Sequence, residues 1–292
     1  MEDLETRLTE DGSQTFYSKE FNETFHSKYG AKQESEITYI KGCNIKEQLT
    51  QKKYLKVIDL CYGLGYNTAS LLEVYAQNIY DCFLEVIALE IDLNIPKQAI
   101  KNNLLSSYSS NIIKDLNIIA NTQKLNKSNL NIELLIGDAR ETITKLLRSN
   151  FKADAIFFDP FSPPKCPQLW TVEFFERISQ CLADDGILAT YSCSASVRKG
   201  MMLVGLNIGR NCTVGRRSPG TLATKNNIPL QSLSLKELEH LQTRASIPYR
   251  DPSLTDNAMD IIKRREKEQL SSDLEYTSHW KKRWLNFSHS FE

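Results

Sequence analysis

Four acids stand at matching places in four apolar runs. Asp59 ends Lys56-Val57-Ile58, Glu90 ends Val86-Ile87-Ala88-Leu89, Asp138 follows Ile132-Glu133-Leu134-Leu135-Ile136-Gly137, and Asp159 ends Ala155-Ile156-Phe157-Phe158. Carboxylates at strand ends accept hydrogen bonds from whatever the sheet binds. Glu90 suits ribose hydroxyls, at the spacing of about 20 residues at which such an acid follows a glycine turn. Asp138, with Ala139 beside it, suits an exocyclic adenine amine. Asp159 suits a group that must lose a proton to react. Between the first two acids lies Cys61-Tyr62-Gly63-Leu64-Gly65-Tyr66-Asn67-Thr68. Gly63 and Gly65 permit backbone angles and a close approach that a Cβ would forbid, and a helix start behind them offers free N–H groups. The chemistry indicated is adenosine binding beside one acid placed to take a proton.

The elements that must position these residues can be read in the same way. Strands are expected at 55–60, 84–90, 132–136, 154–159 and 186–193, and helices at 67–78, near 95–106, 141–149 and 171–183. This βαβ alternation describes a doubly wound, mostly parallel sheet. Before it, Asp11-Gly12 signals a turn ahead of a strand through Thr15, Phe16 and Tyr17, and Glu36 to Ile40 alternates like a second strand. Asn102 to Asn131 is polar and reads as a surface helix with loops, 206–234 as irregular, and Leu235–Leu241 and Thr255–Leu270 as polar helices. The division expected is an N-terminal β-hairpin layer (1–50), a Rossmann-like domain (51–218) and a polar helical extension (219–292).

The chain has 292 residues, 41% hydrophobic and 25% charged, with a formal net charge of zero. That is an ordinary globular composition with no apolar run of the roughly 18 residues a membrane span needs. Met1-Glu2-Asp3-Leu4-Glu5 is acidic and unlike a signal peptide. Seven scattered cysteines and four histidines show no C-x-x-C pair, so reduced thiols in the cytoplasm and no metal are expected. From Ser192 onward 16 Lys and Arg stand against 10 Asp and Glu, a basic lean.

The third glycine of a dinucleotide fingerprint is absent, since Thr68 stands three residues after Gly65. An acidic pocket also suits a sulfonium cation better than a pyrophosphate. The spacing resembles class I S-adenosylmethionine-dependent methyltransferases. After Asp159 comes a stiff loop with Pro160, Pro163, Pro164 and Pro167, closed by Trp170, and Thr171 is placed to cap the next helix with Glu173 in its first turn. Asp159-x-Phe161-x-Pro163-x-Lys165-x-Pro167-x-x-Trp170-Thr171 resembles the D-x-F-x-P-x-K-N-P-x-x-W-T loop of the MnmC methyltransferase family. Thr9-Glu10-Asp11-Gly12-Ser13-x-Thr15, Phe25-x-Ser27-x-x-Gly30-Ala31-x-x-Glu34, Leu188-Ala189-Thr190-Tyr191-Ser192, Val197-Arg198-Lys199-Gly200 and Gly215-Arg216-Arg217 resemble further signatures of that family, in order. Cys166 replaces its usual Asn, Cys61 its first loop Gly, and Ser218 an acid.

The resemblance implies S-adenosyl-L-methionine-dependent N-methylation of the 5-aminomethyl group of wobble uridine in tRNA. It implies Asp159 as the catalytic residue that takes the amine's proton and Asp59, Tyr62, Gly63, Gly65, Glu90, Asp138 and Ala139 at the cofactor, with Tyr62 equally readable as core. Lys165 and Trp170 belong to the substrate loop. Arg198, Lys199, Arg216 and Arg217 are candidates for RNA phosphates, which supply most nucleic-acid affinity, or are plain surface charge. Bifunctional members carry a flavin-dependent oxidoreductase domain. About 75 residues follow Arg217, too few for one, so no flavin is expected. A monomer is the favoured state. Competing readings are an aminopropyltransferase of the spermidine-synthase type and a non-catalytic adenosine-binding partner of a tRNA-modifying complex.

Overall fold

The computed structural model describes residues 4–77, 81–215, 218–226 and 228–288. The chain opens with a three-stranded antiparallel layer, β1 (Glu5–Leu8), β2 (Gln14–Ser18) and β3 (Glu23–Thr24). Helix α1 (Ala31–Glu34) continues as a π-helical stretch, Ser35–Lys41, and α2 (Ile45–Gln51) follows. The strand expected at 36–40 is therefore helical. Of its buried residues, Ala31, Glu34, Ser35, Thr38 and Tyr39 recur at helical spacing, with Ile40 buried beside them. Three of them are polar, which hides the period from a reading of apolar residues alone.

The parallel elements follow as expected: β4 (Tyr54–Leu60), α3 (Tyr66–Gln77), β5 (Phe83–Glu90) and α4 (Asn94–Lys101). Helix α5 (Ser110–Thr122) covers much of the polar segment, and β6 (Lys124–Lys127) turns back to pair antiparallel with β7 (Leu130–Ile136). Then come α6 (Ala139–Arg148), β8 (Ala153–Phe158), a 3₁₀ turn at Pro167–Trp170, α7 (Val172–Cys181), β9 (Leu182–Thr190) and α8 (Ala195–Leu203). The stretch expected to be irregular forms β10 (Asn207–Arg210) and β11 (Thr221–Thr224). These four-residue strands lack an apolar alternation, and Thr221 and Thr224 are buried through their hydroxyls' partners rather than by hydrophobicity. Helices α9 (Leu235–His240), α10 (Ala258–Ser271) and α11 (Thr277–Ser288) complete the extension.

The eight-stranded sheet runs β10-β11-β9-β8-β4-β5-β7-β6. Its five inner strands are parallel and its outer neighbours antiparallel. Successive strand residues face opposite layers. Val57 and Phe157 join one buried cluster, while Ile58, Ile156 and Phe158 join the other. Chain order reverses between β4 and β8, and a crevice outside the carboxyl ends of the strands opens at such a switch point.

Arg198 lies inside this fold, 2% exposed, and not on the surface. Its guanidinium donates to Thr221 Oγ1 at 3.0 Å, to the Pro219 and Gly220 carbonyls at 3.1 and 3.3 Å, and to Glu237 Oε1 at 2.9 Å. It ties α8 to β11 and α9, so its expected contact with RNA phosphate is replaced by a structural one. Removing one member of a buried pair strands the other, at a cost of about 3–5 kcal/mol. Arg198→Ala should lose stability of that order in urea unfolding; an unchanged midpoint and slope would show that the network carries no stability.

Candidate active site

Leu60 leads out of β4 into a turn that only unusual backbone angles can make. Cys61, Gly63 and Gly65 have φ of 68°, 54° and 89°. A Cβ on Gly65 would lie 2.8 Å from the Tyr62 hydroxyl, so glycine is required there. Cys61 occupies a left-handed position that glycine adopts without strain, which explains the glycine of the resembling family. The turn is pinned from below. Gly63 N–H donates to Glu90 Oε2 at 2.8 Å, and Thr68 Oγ1 donates to Asp59 Oδ2 at 2.7 Å.

Glu90 also accepts from the N–H groups of Ile91 and Asp92, at 2.9 and 3.0 Å. Burial raises its pKa despite those donors. Asp138 caps α6 by accepting from Arg140 N–H at 2.8 Å, and the Arg140 guanidinium grips it through Nε and Nη2. The same arginine donates through Nη1 to Asp251 Oδ2 and the Asp256 carbonyl, both at 2.9 Å. The C-terminal extension is thereby bolted to the wall of the site.

Asp159 follows β8, and its N–H donates to the Leu60 carbonyl at 3.1 Å, placing it directly beside the glycine turn. Its Oδ2 accepts from Asn67 Nδ2 at 3.0 Å. Burial, and then the nearby Glu34 carboxylate, push its pKa up to about 8 against the effect of Tyr39 and Asn67. Burial also lifts Asp59 to about 7. The proline loop is held on three sides. Trp170 Nε1 donates to the Phe161 carbonyl, Tyr191 donates to the Pro160 carbonyl, and Glu23 Oε2 accepts from Ser162 N–H at 3.0 Å. Phe21 of the N-terminal layer stacks on Phe161 with centroids 4.3 Å apart. Thr171 Oγ1 accepts from Phe174 N–H, the expected cap of α7.

These residues enclose a cavity of about 250 Å³. Gly63, Glu90, Asp138, Ala139 and Asp159 line it, together with Cys61 and Cys166. Asp59, Tyr62 and Gly65 do not. Asp59 is fully buried beneath the turn with Oδ1 unpaired, and Tyr62 is 3% exposed and belongs to the core. Trp170 is wholly buried among Phe158, Phe175 and Tyr191, so it shapes the loop from behind. Lys165 is exposed and Lys199 half-buried, and Arg216 and Arg217 lie outside the described residues. Sequence reasoning did not assign Phe21, Phe25, Asp92, Ile95 or Arg140 to the cavity. Arg140, directly after the Gly-Asp-Ala turn, was the member with a readable signal.

Residues 96–226 match the family described as S-adenosyl-L-methionine-dependent methyltransferase. An uncharacterized protein of Methanocaldococcus jannaschii is 32% identical over 277 residues, 91% of this chain and 73% of that one. The solved structure of MNMC2 from Aquifex aeolicus superposes with a TM-score of 0.78 and 28% identity, covering 93% of this chain and 87% of that one. The chain belongs to the S-adenosyl-L-methionine-dependent methyltransferase family. The bifunctional protein MnmC of Paraburkholderia phymatum, named for tRNA 5-methylaminomethyl-2-thiouridine biosynthesis, is 22% identical over 241 residues, 74% of this chain and 35% of that one. This methyltransferase thus spans about a third of that relative.

The residues present fit the cofactor. Glu90 Oε1 already accepts two backbone donors, but Oε2 accepts only one and keeps a lone pair for a ribose hydroxyl. Leu89, Ile91, Ile95 and Leu169 supply apolar walls for an adenine, and Gly63 lets the backbone approach. Among the described residues no group of three or more His, Cys, Asp and Glu is arranged to hold a metal ion, and no helix is long and apolar enough to cross a membrane. Glu90→Ala should weaken S-adenosyl-L-methionine binding by about 1.5–3 kcal/mol, the worth of hydrogen bonds to a charged acceptor. Calorimetry showing parental affinity in the variant would remove Glu90 from the ribose site.

Proposed function

We propose that this methyltransferase methylates the amine of 5-aminomethyl-uridine, with or without 2-thiolation, at the wobble position of tRNA. One observation carries the reading: the proline loop that resembles the MnmC motif sets Asp159 at the sheet's switch point, desolvated and oriented by Asn67. The names of the MnmC relatives and the likeness to MNMC2 support the same substrate. The basic lean after Ser192 supports an RNA partner, with Lys165, Lys199, Arg216 and Arg217 as the remaining candidates for its phosphates. The reaction so read uses neither flavin nor metal, and the enzyme is read as a cytoplasmic monomer.

When bound, S-adenosyl-L-methionine supplies a methyl group on a sulfonium centre. An ammonium has no lone pair with which to take it. Asp159 removes that obstacle by accepting a proton from the amine. Its raised pKa lies closer to that of an amine than an ordinary carboxylate's does, which favours proton transfer near neutral pH. Asn67 and the braced loop fix the acceptor before substrate arrives, so little reorganisation accompanies the transfer. Glu90 and the glycine turn hold the cofactor side in register.

Asp159 must be ionised to act as a base, so kcat/KM should rise with pH through about 8, and the amine's own deprotonation adds to the rise. Asp159→Asn should keep cofactor binding and lose about 10²–10⁴-fold in methyl transfer to tRNA carrying 5-aminomethyl-uridine, recovering in part at high pH. Labelled-methyl transfer, with a polyamine as comparison substrate, measures this. Parental turnover by the variant across pH 6–9 would return Asp159 to a purely structural role.

A further inference from the structure

Ser35 and Tyr39 stand one turn apart on the buried face of the π-helical stretch. Ser35 Oγ donates to the Tyr66 carbonyl at 3.1 Å, and the next residue, Asn67, is the one whose amide meets Asp159. The Tyr39 ring packs on Phe157 of β8, two residues before Asp159, with centroids 5.6 Å apart. These contacts bring the Tyr39 hydroxyl to the Asp159 carboxyl. Behind them, Asn211 Nδ2 donates to the Thr38 carbonyl at 2.9 Å and fixes the stretch in place. Tyr39 is wholly buried, and among the described residues no well-formed hydrogen bond engages its hydroxyl. It does not line the cavity, so any part it has in the chemistry is played through Asp159.

A buried phenol ordinarily finds a partner, because a hydrogen bond left unmade in the interior is costly. Phenylalanine would fill the same space without that cost. Burial, and then the nearby Asp159, raise the pKa of Tyr39, so its hydroxyl stays protonated and can donate to a carboxylate. Hydrogen bonds at such sites are often long in the ligand-free state and tighten in the reacting complex. We propose that Tyr39 is a positioning residue, whose hydroxyl joins the Asn67 amide in holding the Asp159 carboxylate where it meets the substrate's amine. The proposal rests on the reading of Asp159 as the amine's base. A donor to the ionised form favours that form. Glu34 of α1 and Asp59 of β4 oppose ionisation of Asp159, whereas Tyr39 and Asn67 favour it. Cys61 of the glycine turn also faces Asp159, Glu23 and His26 share a smaller cavity with it, and Glu34 and Tyr191 face Tyr39. Tyr39 therefore offsets part of the desolvation that would leave Asp159 a neutral acid.

Tyr39→Phe removes the hydroxyl and keeps the ring. In infrared difference titration of the ligand-free variant, with its own Asp159→Asn counterpart subtracted, Asp159 should ionise at least about one pH unit higher than in the parent, the worth of one hydrogen bond to a charged acceptor. A ring-fluorinated tyrosine placed at position 39 has a more acidic hydroxyl and should move the same titration down. In methyl transfer to tRNA carrying 5-aminomethyl-uridine, Tyr39→Phe should lower kcat about tenfold at pH 7 and only about twofold at pH 9, with KM and cofactor affinity little changed. An unshifted titration in Tyr39→Phe, shifts of the same direction in both replacements, or a kcat loss equal at every pH would overturn the proposal. Should Tyr39→Phe lose its thermal transition, the fluorinated protein decides: a lowered titration upholds the contact, and an unchanged or raised one overturns it. A shifted titration together with parental turnover by Asp159→Asn would uphold the Tyr39 contact and sink the reading of Asp159 as the base; an unshifted titration with Asp159→Asn inactive would do the reverse.

Discussion

Everything around the site depends on keeping carboxylates out of water. Asp59, Glu90 and Asp159 end adjacent strands of one sheet, and burial raises the pKa of each. Desolvation of this kind disfavours the charged form unless donors or cations answer it. Glu90 is answered by three backbone N–H groups, and it holds the glycine turn in return. Asp59 accepts from Thr68 Oγ1 on Oδ2 and has Oδ1 unpaired, and Asp159 is met by Asn67 and Tyr39. An unsatisfied buried polar group costs about 1–3 kcal/mol. The fold therefore carries a local penalty at the switch point.

The parts that seem peripheral act on that point. The N-terminal layer reaches across the sheet: Glu23 takes the Ser162 N–H, Phe21 and Phe25 pack on Phe161, and Glu34 raises the pKa of Asp159. The Thr9–Ser13 turn anchors this layer. Asp11 accepts from Thr9 Oγ1, Ser13 N–H and Gln33 N–H, which fastens the hairpin to the start of α1. From the opposite side, Glu173 of α7 accepts from Arg250 Nε and Asp251 N–H, and Asp251 accepts from Arg140. The extension after β11 thus fixes both α7 and the Asp138 wall. Proline loop, cavity wall and tail form one mechanical unit.

The sequence showed the parts whose burial comes from apolar side chains. The parallel strands are β-branched and aromatic runs, so their ends, and with them Glu90, Asp138 and Asp159, could be located residue by residue. The helix through Ser35–Lys41 was hidden because Glu34, Ser35 and Thr38 fill its inner face. Arg198 illustrates the opposite error. An arginine reads as surface charge until its partners are known, and Thr221, Pro219 and Gly220 come from a segment with no readable pattern, while Glu237 comes from a polar helix whose docking was not legible. Asp59 ends its strand as expected, yet it bonds beneath the turn instead of facing the cavity. Glu34 belonged to a recognisable signature, but its nearness to Asp159 follows only from the docking of the N-terminal layer.

The account turns on the protonation of one carboxyl, which can be observed without substrate. Infrared difference titration of the ligand-free protein, with Asp159→Asn subtracted to isolate the band, reports the ionisation of Asp159 directly. The structure predicts titration at about 8, with burial and the neighbouring Glu34 as its causes. Titration near 4, the range of an ordinary solvated carboxylate, would contradict it, because Asp159 would then be neither desolvated nor matched to an amine.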